Sequence, residues 1–293
     1  MASSLPRTLV SLPIKVVAGV GRALRDPLKP VRNILNRWEQ GDDEPQDFGE
    51  MTLGEHLIDL RNALVHSCYA FAPAFLVGVL LASPLMKYMA RQANTPEFQV
   101  LSPTGGFVIY MKVGLYMGLV FAFPIIFYQL FSFIAPGMTR KEKRYFASSL
   151  PFVTLLFFAG ASFAFFFAAP RAFDFLSNFP AGIFKWDPVA DEVISFYLTL
   201  TLGLGIAFEL PAVMYLLARL KIVNATKQRN FWRIAMILIM VAAAIITPTP
   251  DPFNMIIVAS PLVLLYIFGL FLARFAESRN AAKDEKKVAE AAG

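Results

Sequence analysis

Four carboxylates in this chain occupy places where a charge must have a reason. Glu55 and Asp59 stand four residues apart in Gly54-Glu55-His56-Leu57-Ile58-Asp59-Leu60-Arg61. On a helix that spacing puts both acids on one face, with Arg61 on another. Glu142 is a lone acid in the basic run Thr139-Arg140-Lys141-Glu142-Lys143-Arg144. Acids of this kind accept charge-assisted hydrogen bonds from a basic partner. They also serve as orientation anchors or screen their basic neighbours. The fourth acid, Glu209, lies inside an apolar run ten residues before Arg219, hence about 15 Å deep by helical rise. A charge near a bilayer centre costs at least roughly 2.5–3.5 kcal/mol. Glu209 must therefore face a protein interior, pair, or stay a neutral hydrogen-bonded acid. Gln129 and Lys112, both in the second apolar run, are its candidate partners. Gly203 and Gly205 precede it and permit close helix approach.

Covalent chemistry lacks its parts. His56 and His66 are the only histidines and Cys68 the only cysteine. Residues 66 and 68 point differently on a helix, and no His- or Cys-based metal spacing exists. The chain reads as a non-enzyme without cofactor or metal.

Composition identifies the solvent that these residues meet. Of 293 residues, 57% are hydrophobic and 16% charged, and mean hydropathy is +0.56. Soluble proteins carry about 25% charged residues. The net charge of +6 fits membrane-edge loops and anionic lipid better than nucleic acid. Runs of the length a bilayer requires fall at 62–85, 107–135, 149–170, 194–219, 232–247 and 253–273. The fifth is short: Trp232–Ile246, at about 1.5 Å per residue, reaches only about 22 Å. Pro73, Pro124, Pro151, Pro211 and Pro261 lie inside five of the runs, and each removes a backbone donor and favours a kink. The expected fold is an all-α membrane protein of six kinked transmembrane helices in a cupped bundle.

Of 27 Lys and Arg, twenty-two fall on the side of the termini and four (Lys87, Arg91, Arg171, Lys185) on the other. The positive-inside rule then puts both termini in the cytoplasm. No internal repeat is evident, so an inverted-repeat transporter is not supported. Residues 1–50 form a separate basic extension. Val17, Val20, Leu24, Leu28, Val31, Leu35 and Trp38 recur at helical steps, consistent with a membrane-surface segment, a targeting peptide or a plain tail. An acidic linker follows. The expected division is 1–50, a six-span domain at 51–275, and a charged tail at 276–293.

Taken together, these motifs resemble the TatC family, the multispanning receptors of twin-arginine protein translocation. The resemblance rests on His56-Leu57-Ile58-Asp59-Leu60-Arg61, on Phe123-Pro124 … Tyr128-Gln129 … Phe133-Ile134-Ala135-Pro136-Gly137 with Glu142 beyond, on Phe208-Glu209-Leu210-Pro211, and on Thr247-Pro248-Thr249-Pro250-Asp251-Pro252. It covers about residues 52–275 and implies a cupped six-helix bundle with cytoplasmic termini. It implies that the amino-terminal segment, with His56, Asp59 and Arg61, and the first loop, with Glu142, bind the Arg-Arg signal of folded cargo. Glu209 takes the polar position in the membrane cavity, beside Gln129, and Asp251 lies in the last outer loop. Implied partners are TatA- and TatB-like single-span proteins, membrane lipid and further copies of the chain, in a plasma or inner membrane energised by the proton-motive force. Three positions depart from the family pattern: Asp59 stands for a usual Glu, Thr104-Gly105-Gly106 lacks an outer-loop acid, and Tyr266-Ile267 replaces Tyr-Glu. The rival reading is a proton-coupled small-solute transporter working through Glu209.

The charge asymmetry generates a direct test of topology. Probes at Phe48, Lys141, Ala225 and Glu285 are expected to label from the cytoplasm, and probes at Thr95 and Pro180 from outside. External labelling at Lys141 would overturn the orientation.

Overall fold

The computed structural model describes residues 53–95, 97–178, 186–247 and 252–292. The basic extension and Asp251 lie outside the described residues. Among the described residues nine α-helices follow in order: α1 (Leu53–Gln92), α2 (Gly105–Ile134), α3 (Arg140–Phe163), α4 (Ala169–Ser177), α5 (Ala190–Ala207), α6 (Leu210–Arg219), α7 (Ala225–Asn230), α8 (Trp232–Ile246) and α9 (Pro252–Ala292). Among the described residues no strand forms, and Gln99 and Val189 make one isolated parallel bridge.

These helices make six apolar elements. Five are long enough to cross a membrane: Gly54–Gln92, Gly105–Gly137, Glu142–Ser177, Ala190–Arg219 and Met255–Ala281. Trp232–Ile246, fifth in chain order, is the short one, as its length in the sequence requires. The helical assignment runs unbroken through Pro73, Pro124, Pro151 and Pro261. It breaks at Phe208–Glu209, just before Pro211, whose missing N–H leaves a carbonyl without its helical donor. A five-residue π segment, Ala164–Ala168, joins α3 to α4. Helix α9 crosses the expected 275/276 boundary without interruption.

Hydrocarbon drives no apolar association between helices, so small residues must let backbones meet. Gly114 and Gly118, four apart on α2, do this against α1. A side-chain carbon at Gly78 would lie 2.9 Å from the Gly118 nitrogen, and one at Gly118 would lie 2.8 Å from Phe75 Cα. The two helices therefore run antiparallel in close contact. At the other pairings, α3 packs on α5 and α6 on α9. Gly269 brings α9 within 3.2 Å of Pro211 Cα on α6 by the same criterion.

Span four, α5 with α6, is the hub. Half of its most apolar window is buried, against 6% for α1. Tyr197, Ile194, Leu200 and Leu204 are fully enclosed. The outward face of α1, with Leu57, Leu64, Tyr69, Leu76 and Leu80, stays exposed and suits lipid. Helix α6 ends in a Schellman motif: Ile222 N–H bonds Leu217 O at 3.0 Å and Lys221 N–H bonds Ala218 O at 3.1 Å. Lys221 takes the left-handed position with φ 59°, where glycine is the usual residue.

The α1–α2 contact is open to mutation. Gly78→Ala places a methyl against rigid backbone and is expected to cost about 1–3 kcal/mol, read as a lower unfolding temperature in detergent. Gly106→Ala, which meets nothing within 4 Å, should leave that temperature unchanged. Equal behaviour of the two variants would refute the glycine-mediated approach.

Candidate functional site

The charged turn at the start of α1 and the loop after α2 come to the same end of the antiparallel pair. The ring of His56 stacks on Phe133, with centroids 4.4 Å apart. Phe133 stands just before the Ala135–Gly137 turn that leads to α3. Asp59, one turn beyond His56, is half-buried, and Glu55 and Arg61 are exposed. His56 thus serves first as the packing link between the two candidate recognition segments.

Glu142 has a specific local partner. Thr139 N–H donates to Glu142 Oε2 at 2.7 Å, and Glu142 N–H donates to Thr139 Oγ1 at 3.3 Å. This reciprocal pair is a capping box, which satisfies two orphan donors at the start of α3. The acid is held at its own helix start by these two bonds. The signal was legible: Thr139-x-x-Glu142 is the capping-box pattern.

Glu209 lies where span four breaks. It is 7% exposed and occupies the N-cap position of α6 without capping it through its side chain. Its carboxyl approaches the backbone of Phe157 on α3 without completing a hydrogen bond, and neither oxygen has another partner among the described residues. The break is packed against span three, where a side-chain carbon at Gly160 would lie 2.7 Å from Phe208 Cβ. Gly205 sits equally close to the Phe157 ring, and Gly203 to Ile246.

The expected partners of Glu209 are corrected. Lys112 Nζ instead meets Asp191 at 2.8 Å and Ser195 Oγ at 2.7 Å. Asp191 opens α5, at the end of span four opposite to Arg219, so Lys112 is beyond reach of the break. The Ser195 hydroxyl in turn donates to the Asp191 backbone carbonyl. Gln129 is half-buried on α2 and makes no hydrogen bond to Glu209. Sequence reasoning missed Asp191, because nothing in spacing links residues 112 and 191.

The end carrying Lys112 is tied by polar contacts between its two connections. Trp186 Nε1 donates to Ala93 O at 2.7 Å, and Gln99 Nε2 to Asp187 at 2.6 Å. At the opposite end, Arg219 is buried rather than solvated. Its guanidinium bonds Asn280 Oδ1 at 2.5 Å and lies 4.5 Å from the Tyr145 ring centroid. Glu277 accepts from Ala225 N–H at 2.6 Å, and Tyr266 donates to the Gln228 carbonyl at 2.6 Å. These contacts fix α9 to α6 and α7. No group of three or more potential metal ligands occurs among the described residues.

The sequence and fold find counterparts. The profile of the family described as Sec-independent protein translocase protein (TatC) matches residues 55–261. TatC of Deinococcus radiodurans is 35% identical over 245 residues, covering 78% of this chain and 88% of the relative. The chloroplastic TATC of Arabidopsis thaliana is 29% identical over 272 residues, covering 89% of this chain and 79% of the relative. A crystal structure of a twin-arginine translocase receptor, TatC, superposes with a TM-score of 0.66 at 33% identity, over 76% of this chain and 99% of that one. With six apolar helices in the arrangement of that receptor and a profile match that starts at Glu55, this multi-pass membrane protein belongs to the TatC family of Sec-independent protein translocases.

Proposed function

We propose that this chain is the signal-recognising subunit of a twin-arginine translocase, which binds folded export cargo and assembles its path with partner helices. The carrying observation is the joining of the two acidic segments at one end of the α1–α2 pair through the His56–Phe133 stack. The relatives are named as Sec-independent translocase proteins, and the solved counterpart is named a twin-arginine translocase receptor. Paired arginines present planar forks that match carboxylates bidentately. Asp59 and Glu142 meet those forks at the cytoplasmic membrane edge. The apolar part of the signal then lies along the membrane-facing helices. TatA- and TatB-like single-span proteins join the complex, and the proton-motive force drives passage across a plasma or inner membrane.

Hydrogen bonds to charged groups contribute about 1.5–3 kcal/mol each, so losing one acid should weaken signal binding roughly ten- to a hundredfold. Asp59→Ala and Glu142→Ala are each expected to reduce photo-crosslinking to a twin-arginine precursor while leaving membrane insertion intact. Asp59→Glu should be tolerated. Normal crosslinking by the double alanine variant, at normal protein level, excludes the acidic-receptor reading.

Glu209 separates this function from solute transport. Glu209→Gln keeps volume and hydrogen-bonding capacity but removes the charge. It is expected to preserve the fold and to weaken cargo passage or complex assembly. Full export with unchanged complex size shows a neutral structural group instead. Solute uptake in the absence of signal and partners favours the transporter.

A further inference from the structure

We propose that Thr139 is a positioning residue for signal recognition, which presets the Glu142 carboxylate before the arginine pair arrives. The inference rests on the reading that Glu142 contacts the signal. A glutamate on a first helical turn ordinarily samples several rotamers. Here Oε2 is anchored by the Thr139 N–H at 2.7 Å, and the Thr139 hydroxyl closes the ring on the Glu142 N–H. The anchored oxygen keeps a lone pair, and a carboxylate offers about four acceptor sites in all. The capping bond therefore orients the group without exhausting it.

Orientation matters because of what the ligand is. A guanidinium fork needs two parallel acceptor directions at once, whereas an ammonium is a compact point charge that suits a mobile acid nearly as well. A carboxylate fixed in advance loses less freedom on binding, and preorganisation of this kind raises affinity without adding contacts. The capping box should then favour Arg-Arg over Lys-Lys signals, beyond its service to the helix.

The backbone allows a clean probe. Thr139 has φ −65° and ψ 158°, and φ near −65° is the value that proline imposes. The preceding Met138 is extended at φ −110° and ψ 147°, the conformation favoured before proline. Thr139→Pro thus removes the N–H that holds Glu142 while keeping the chain path. The first helical bond, Lys143 N–H to the Thr139 carbonyl, is retained.

The experiment measures binding of fluorescent Arg-Arg and Lys-Lys signal peptides to the full-length protein in native membranes. Thr139→Ser keeps both capping bonds and is expected to bind as the unmodified protein does. Thr139→Pro is expected to lose about fivefold in Arg-Arg affinity with little change for Lys-Lys, so discrimination narrows. Thr139→Val keeps the N–H but not the hydroxyl, and should show a smaller loss of the same kind if the proline variant does not accumulate. In a Glu142→Ala background, Thr139→Pro should add nothing. Two results overturn the inference while leaving recognition by Glu142 standing: unchanged Arg-Arg affinity in both Thr139→Pro and Thr139→Val, or an undiminished proline effect in the Glu142→Ala background. Normal binding by Glu142→Ala itself removes the underlying reading, and this one with it.

Discussion

Hydrocarbon offers no hydrogen-bond partner to a backbone amide or a carboxylate, and this constraint sorts the polar groups of the described residues. Backbone groups close within helices. Helices then pair through close backbone approach, as at Gly78 with Gly114 and Gly118. Charged side chains collect at the helix ends or find a partner there. Lys112 takes Asp191, and Arg219 takes Asn280 and the Tyr145 ring. Glu209 is an exception among the described residues, buried with both oxygens unpartnered. An unsatisfied buried polar group costs about 1–3 kcal/mol, and it sits where the helix already breaks.

The same constraint organises the proposed recognition end. Asp59 and Glu142 stand near helix starts, the proposed place of the cationic ligand. Their mutual placement depends on how tightly the first two helices are held. The glycine contacts set the approach of α1 to α2, the His56–Phe133 stack fixes their ends, and the capping box orients the last carboxylate. Packing inside the membrane and chemistry outside it are thereby linked through one helical pair.

At the other end, contacts between residues 93–99 and 177–191 tie the connections that precede α2 and α5. The α6–α9 unit is locked by Gly269, Gln228 and Asn280. Each pairing joins elements far apart in the chain.

The sequence by itself determined the solvent, the number of apolar elements and the short fifth helix, because hydropathy and rise per residue are local quantities. It also identified the acids at positions 59, 142 and 209 as exceptional, since a charge beside or inside an apolar run is expensive wherever the helices go. Two features were legible but passed over: the small-residue pair Gly114 and Gly118, and the capping pattern Thr139-x-x-Glu142. Only the tertiary structure decided who meets whom. It gave Lys112 to Asp191 rather than to Glu209, buried Arg219 that charge counting had assigned to the cytoplasmic edge, and broke span four at Glu209 while leaving four other proline-bearing helices unbroken. Partner choice depends on which helix faces come together across tens of residues, and the helical period specifies a face but not its neighbour.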